Sequence, residues 1–198
     1  YYALCDEANA ITAMQVLPWL NHGEAEALAK ESYERFSDCY GAFMPLADKA
    51  GLSEDQLRLN IFKGYHVALF GLLQEKRSDF FDHAATGLVE AFEKGKTRNI
   101  KHGVLSHSCM NGWGKPVLNV LGILPYFQEN AVLGMDDFGF QRKGESAEPL
   151  RQIISLLDAK DDIVWFAEDS LRNLEKAKDI PGIKTAYIHQ GKPKDTLH

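Results

Sequence analysis

The feature that most constrains this chain is the run Ile163-Val164-Trp165-Phe166-Ala167, which ends on the acidic pair Glu168-Asp169 and passes directly into a helical pattern from Leu171 to Ala177. An apolar run of this length, rich in β-branched and aromatic residues, reads as the strongest strand in the sequence. The same rhythm recurs. Ile100 to Leu105 is apolar and precedes a helical stretch at Val117 to Leu121, Ala131 to Met135 precedes helical Pro149 to Leu157, and Thr185-Ala186-Tyr187-Ile188 is a last strand. Strands alternating with helices predict βαβ units and a parallel sheet with right-handed crossovers. Tyr1 to Cys5, a short apolar run ending at Asp6, is read as the first strand of that sheet.

From Ile11 to about Phe92 the texture changes. Apolar residues fall at helical spacing in Ala25-Leu28-Ala29, in Leu57-Ile61-Phe62 and on through Tyr65-Leu69-Leu72-Leu73, with Pro45, Gly51 and Ser53 as punctuation. The predicted architecture is therefore α/β: a doubly wound parallel-sheet core formed by residues 1–14 and 83–198, with an all-helical subdomain, residues 15–82, inserted after strand one. Phe43, Met44, Phe62, Tyr65 and Phe70, at helical spacing, are assigned to that subdomain's own core, with a partner surface as the alternative. The polar tail Gly191 to His198 is expected to fray.

Composition narrows the function classes. A net charge of −6 and a pI near 5.6, with lysines and arginines scattered, exclude the concentrated basic surface that nucleic-acid binding needs. No apolar run reaches the roughly 18 residues of a membrane span, and the opening Tyr1 to Asp6 is too short for a signal-peptide core. Cys5, Cys39 and Cys109 are odd in number and far apart, which suits a reducing compartment. The expectation is a cytoplasmic protein without a nucleic-acid or membrane partner; oligomeric state is not legible.

Ligands of open α/β sheets bind beyond the carboxyl ends of the strands. Asp6, Ser106, the region after Met135, and Glu168-Asp169 are predicted to fall there. Acidic groups converging on one edge repel one another unless they share a cation, which makes a Mg²⁺ site the economical expectation.

These residues, in this order, resemble the haloacid dehalogenase (HAD) superfamily of hydrolases, whose motifs are a strand ending in D-x-D-x-T, a strand ending in Ser or Thr, a lysine near a helix start and a strand ending in paired acids. The second half is similar to the pyrimidine-nucleotidase and phosphoglucomutase-like branches in Leu105-Ser106-His107-Ser108, in Leu121-Gly122-Ile123-Leu124-Pro125-Tyr126-Phe127 and in Phe166-Ala167-Glu168-Asp169-Ser170-Leu171-Arg172-Asn173-Leu174. The resemblance implies a HAD-like Rossmannoid core with a helical cap and a small phosphorylated molecule as substrate or ligand. It implies Asp6 as nucleophile forming an aspartyl-phosphate, Ser106 as donor to a phosphoryl oxygen, and His107 near the substrate. Mg²⁺ would be held by Asp6, the backbone carbonyl of Ala8, Glu168 and Asp169. The lysine motif resembles Asp137-Phe138-Gly139-Phe140-Gln141-Arg142-Lys143-Gly144-Glu145; Arg142 and Lys143 both align, and Lys143 is the preferred cation.

The pattern is broken at its first motif. Where the family has D-x-D-x-T, this chain has Asp6-Glu7-Ala8-Asn9-Ala10. The family's general acid and base is thus replaced by Ala8, a loss that typically costs ~10²–10⁴-fold in rate. The resemblance therefore predicts a Mg²⁺-dependent hydrolase of impaired or atypical activity. The alternatives are a degraded HAD-fold protein that binds a phosphorylated ligand or a protein partner without turnover, and dehalogenase- or phosphonatase-like chemistry, the latter with Lys49 or Lys63 of the cap as a Schiff-base lysine.

Overall fold

The computed structural model describes residues 2–81, 86–160 and 162–188; the tail Gly191 to His198 lies outside them. The chain forms two compact units, one of Tyr1–Arg98 with Ser108–Tyr126 and one of Asn99–His107 with Phe127–His198.

The first unit is helical. Its α-helices are α1 (Tyr2–Val16), α2 (His22–Glu31), a short α3 (Ala47–Ala50), the long α4 (Glu54–Lys76), α5 (Thr86–Thr97) and α6 (Lys115–Val120). Sequence sets their starts. Asn21 and Glu24 form a reciprocal capping box on α2, and Ser53 and Gln56 form another on α4, each satisfying amides that a helix terminus leaves unpaired. The core is made of Ala10, Ala13, Leu17, Ala25, Ala29, Phe43, Ala47, Leu57 and Ile61. Phe62 and Tyr65 are also buried, while Met44 and Phe70 are half-buried.

Over the described residues Tyr2 to Cys5, the strand expected from Tyr1 to Cys5 is instead the start of α1, and this is the main correction to the sequence reading. Cys5, Ala8, Asn9, Thr12, Ala13 and Leu17 are all buried, a spacing of three and four that only a helix presents to one side. No Gly or Pro interrupts Tyr2 to Val16, and four of the fifteen residues are alanine, the best helix former. Residues 2–16 accordingly pack with the helical unit, chiefly against α4 and α2.

The α1–α4 contact depends on a glycine. A Cβ on Gly64 would stand 2.5 Å from the Thr12 methyl, whereas the Lys76–Glu7 ion pair spans the same helices at 2.6 Å on the solvent side. Gly64→Ala gains roughly 1 kcal/mol of helix propensity but forces the helices apart, at a cost of roughly 1–3 kcal/mol. A net loss of stability is expected in denaturant unfolding; a net gain would show that the helices separate freely.

The second unit is mixed α/β with parallel strands. β1 (Val104–Leu105) pairs in parallel with β2 (Val132–Leu133), and β3 (Val164–Glu168) pairs in parallel with β4 (Ile183–Tyr187). Two helices serve these strands, α7 (Glu148–Leu156) and α8 (Leu171–Ala177), the latter crossing between β3 and β4. Strands and helices thus fall where the apolar runs predicted them, with β1 and β2 shorter than expected. Leu150, Ile153, Ile154 and Leu157, on α7 and the residue after it, form one apolar face. Leu105 and Leu133 of the first pair, and Val164, Phe166 and Ile183 of the second, all pack on the cluster built around it. No ladder joins the two pairs among the described residues.

Among the described residues no helix is long and apolar enough to cross a membrane.

Candidate functional site

Parallel pairing brings every strand of the second unit to an end on a loop, and two of those ends are tied together by one side chain. Lys143 sits in the turn-rich segment between Gly139, at φ 58°, and α7. Its ammonium donates to the Leu105 carbonyl at the end of β1, 3.1 Å away, and to Glu168 Oε2 at the end of β3, 2.5 Å away. Both partners are withdrawn from solvent, with the Lys143 side chain 12% and the Glu168 side chain 7% exposed. A charge pair so placed holds only if each ion is satisfied. Glu168 meets that condition: its Oε1 also accepts from the backbone amides of Asp169 and Ser170, each at 3.2 Å. Burial pushes the Glu168 carboxyl up, but the Lys143 hydrogen bond and those of its own loop outweigh it and hold the group below the ordinary carboxylate range.

Asp169 is exposed, and the Glu168 carboxylate beside it pushes its carboxyl up. Glu168 and Asp169 are the carboxyls here that could hold a Mg²⁺, an ion that keeps several of its waters and takes one or two carboxylates. No group of three His, Cys, Asp or Glu side chains is arranged to share a metal among the described residues.

Ser106 follows the β1 residue whose carbonyl Lys143 engages, and its amide extends the β1–β2 ladder to Leu133 O at 3.0 Å. His107 accepts the Lys143 amide on Nε2 at 3.0 Å. Its pKa is lowered by partial burial, then by the Lys143 charge. Of the two cations that align with the lysine motif, Lys143 is thus the one that reaches both strand ends. Arg142 uses its carbonyl to close a turn with the Glu145 amide.

Asp6 and Ala8 are placed differently from expectation. Asp6 is half-buried on α1 of the helical unit rather than at the end of a strand. Ala8 is fully buried in the same helix, where its carbonyl is committed to the helical hydrogen-bond ladder and is not offered to a metal. Its neighbour Glu7 is paired with Lys76. Lys49 and Lys63, the two Schiff-base candidates, are both exposed, and the Lys49 ammonium lies 4.8 Å from the centre of the Trp19 ring.

Three contributors escaped the sequence reading: the Leu105 carbonyl, the acceptor role of His107, and the Arg172 guanidinium, whose Nε donates to the Gly144 carbonyl at 3.3 Å. The residue before Arg172 begins α8, so its nearness to the acidic pair was legible, but its partner was not.

Compared with known families and curated proteins, the chain matches no family model and no curated protein.

Proposed function

We propose that this protein binds a small phosphorylated molecule at the carboxyl edge of β1 and β3, in the manner of HAD-like proteins, with Ser106 and Lys143 meeting the phosphoryl group and Glu168 with Asp169 holding Mg²⁺. The observation that carries this reading is Lys143, a buried cation drawn between two parallel strand ends and adjacent to an exposed acid. The edge of a parallel sheet is where such folds place anionic ligands, and a fixed ammonium together with a metal supplies the charge that a phosphate requires. On the same reading the two parallel pairs are parts of a doubly wound core, and the helical unit carries the cap.

The placement of Asp6 on α1 shifts the reading from hydrolysis toward binding. Asp6 stands within a helix rather than at a strand end, and Ala8 supplies neither acid nor base. Binding without turnover is therefore favoured over an aspartyl-phosphate mechanism through Asp6.

Calorimetric titration with inorganic phosphate, with and without Mg²⁺, tests the proposal. Mg²⁺ is expected to tighten phosphate binding by about tenfold or more, the value of one charged contact, and Asp169→Asn to abolish that gain. An affinity indifferent to both Mg²⁺ and Asp169→Asn would remove the site. In a parallel assay across phosphate esters of differing leaving-group pKa, Asp6→Asn is expected to leave any turnover unchanged; a loss would return Asp6 to the chemistry.

A further inference from the structure

The turn that carries Lys143 is gripped at both ends of that residue by one strand terminus. Leu105 takes the ammonium through its carbonyl, and His107, two residues on, takes the backbone amide through Nε2. A third hold lies next to it. The Gly144 carbonyl accepts from Arg172, and Gly144 is buried so closely against α8 that a Cβ would stand 2.8 Å from Asn173 Oδ1 and 3.1 Å from the Arg172 side chain. The turn itself is closed by the Glu145 amide on the Arg142 carbonyl, and the histidine contact is the hold placed on the Lys143 amide inside it.

We propose that His107 is a positioning residue: its neutral ring, accepting the Lys143 amide, sets the direction in which the Lys143 ammonium leaves the turn and so holds it between the Leu105 carbonyl and Glu168. The consequence for ligand binding rests on the phosphate-site reading above; the positioning role itself does not. An imidazole accepts on Nε2 only while that nitrogen keeps its lone pair, which requires the tautomer with hydrogen on Nδ1. Protonation turns the acceptor into a donor facing another donor. The charged groups that bear on the ring are Lys143 and Arg142, which oppose protonation, and Glu168 and Glu145, which favour it. The grip is thus closed at neutral pH and opens on acidification.

The test reads the lysine directly, by hydrogen exchange of the Lys143 amide and ammonium in ¹⁵N NMR, for the wild type, His107→Gln and His107→Leu. A glutamine places Oε1 near the position of Nε2 and can accept, whereas leucine cannot. His107→Leu is expected to accelerate both exchange rates by about fivefold, the value of one hydrogen bond, with His107→Gln restoring them. In the wild type the protection of both groups, each rate being taken relative to its intrinsic base-catalysed rate at the same pH, falls as His107 protonates, and in His107→Gln it does not follow that titration. Equal rates in the wild type and His107→Leu, or no rescue by glutamine, would overturn the proposal. Should the leucine variant not fold, a wild-type Lys143 amide indifferent to the ionisation of His107 would overturn it as well. Phosphate affinity measured on the same samples separates the two claims: absent binding in the wild type counts against the phosphate site, while exchange at Lys143 still decides the role of His107.

Discussion

Lys143→Met is expected to be among the most damaging single changes in the sheet unit, lowering stability by about 3–5 kcal/mol, the usual cost of stranding one partner of a buried ion pair. The Lys143 and Glu168 side chains are almost wholly withdrawn from water. Methionine retains much of the apolar stem of lysine, so the loss is chiefly electrostatic: Glu168 keeps two backbone amides but no counter-charge. The pH dependence follows from the direction of the Glu168 shift. A carboxyl held below its ordinary value contributes stability that is complete above the unfolded pKa and is lost as pH falls through the folded pKa. Removing Lys143 leaves burial to push that carboxyl up, so the penalty in the variant shrinks once the solution is acidic enough to protonate it. Adding Glu168→Gln to Lys143→Met removes the stranded charge and is expected to recover most of the loss. Denaturant unfolding at neutral and mildly acidic pH checks each point; a double variant no more stable than Lys143→Met would show that packing, not charge, is what Lys143 supplies.

That Glu168 and Lys143 could each be named from sequence, though not as an ion pair, whereas Asp6 was misplaced, has a physical reason. Ile163 to Asp169 is self-sufficient: an apolar run of strand length ends on two acids, and the helical spacing begins two residues later, so nothing distant alters the reading. Lys143 was legible as one of two adjacent cations, and only the three-dimensional reach to Leu105 and Glu168 separates it from Arg142. Tyr1 to Asp6 contains no such internal decision. A short apolar run before a carboxylate fits a buried strand or a first helical turn equally, and periodicity within it cannot arbitrate. The deciding residues are downstream, where Ala8, Asn9, Thr12, Ala13 and Leu17 continue the buried stripe that starts at Cys5. His107 was named as a neighbour of the site, but its bond to the Lys143 amide joins residues 36 apart, beyond any local pattern.

The other large effect lies behind the site. Ile153→Ala is expected to cost about 2–5 kcal/mol, the range for deleting a buried branched side chain, and to loosen β1 from β3 at the same time. Ile153 is 4% exposed on α7, and its Cγ2 stands 3.1 Å from where a Cβ on Gly103 would lie, so it packs directly under the approach to β1. The two parallel pairs share no ladder among the described residues. What holds them in register with each other is the common apolar face of α7 and the Lys143 bridge at their ends. If those two devices act on the same geometry, their removal is not independent. Thinning the packing lets the strand ends separate, the ammonium then cannot span Leu105 and Glu168 together, and part of the worth of the ion pair is already gone. A double-mutant cycle of Ile153→Ala with Lys143→Met is therefore expected to give a combined loss smaller than the sum, by about 1 kcal/mol or more. Strict additivity would mean that the strand ends keep their spacing without α7, and that the site is built by Lys143 alone.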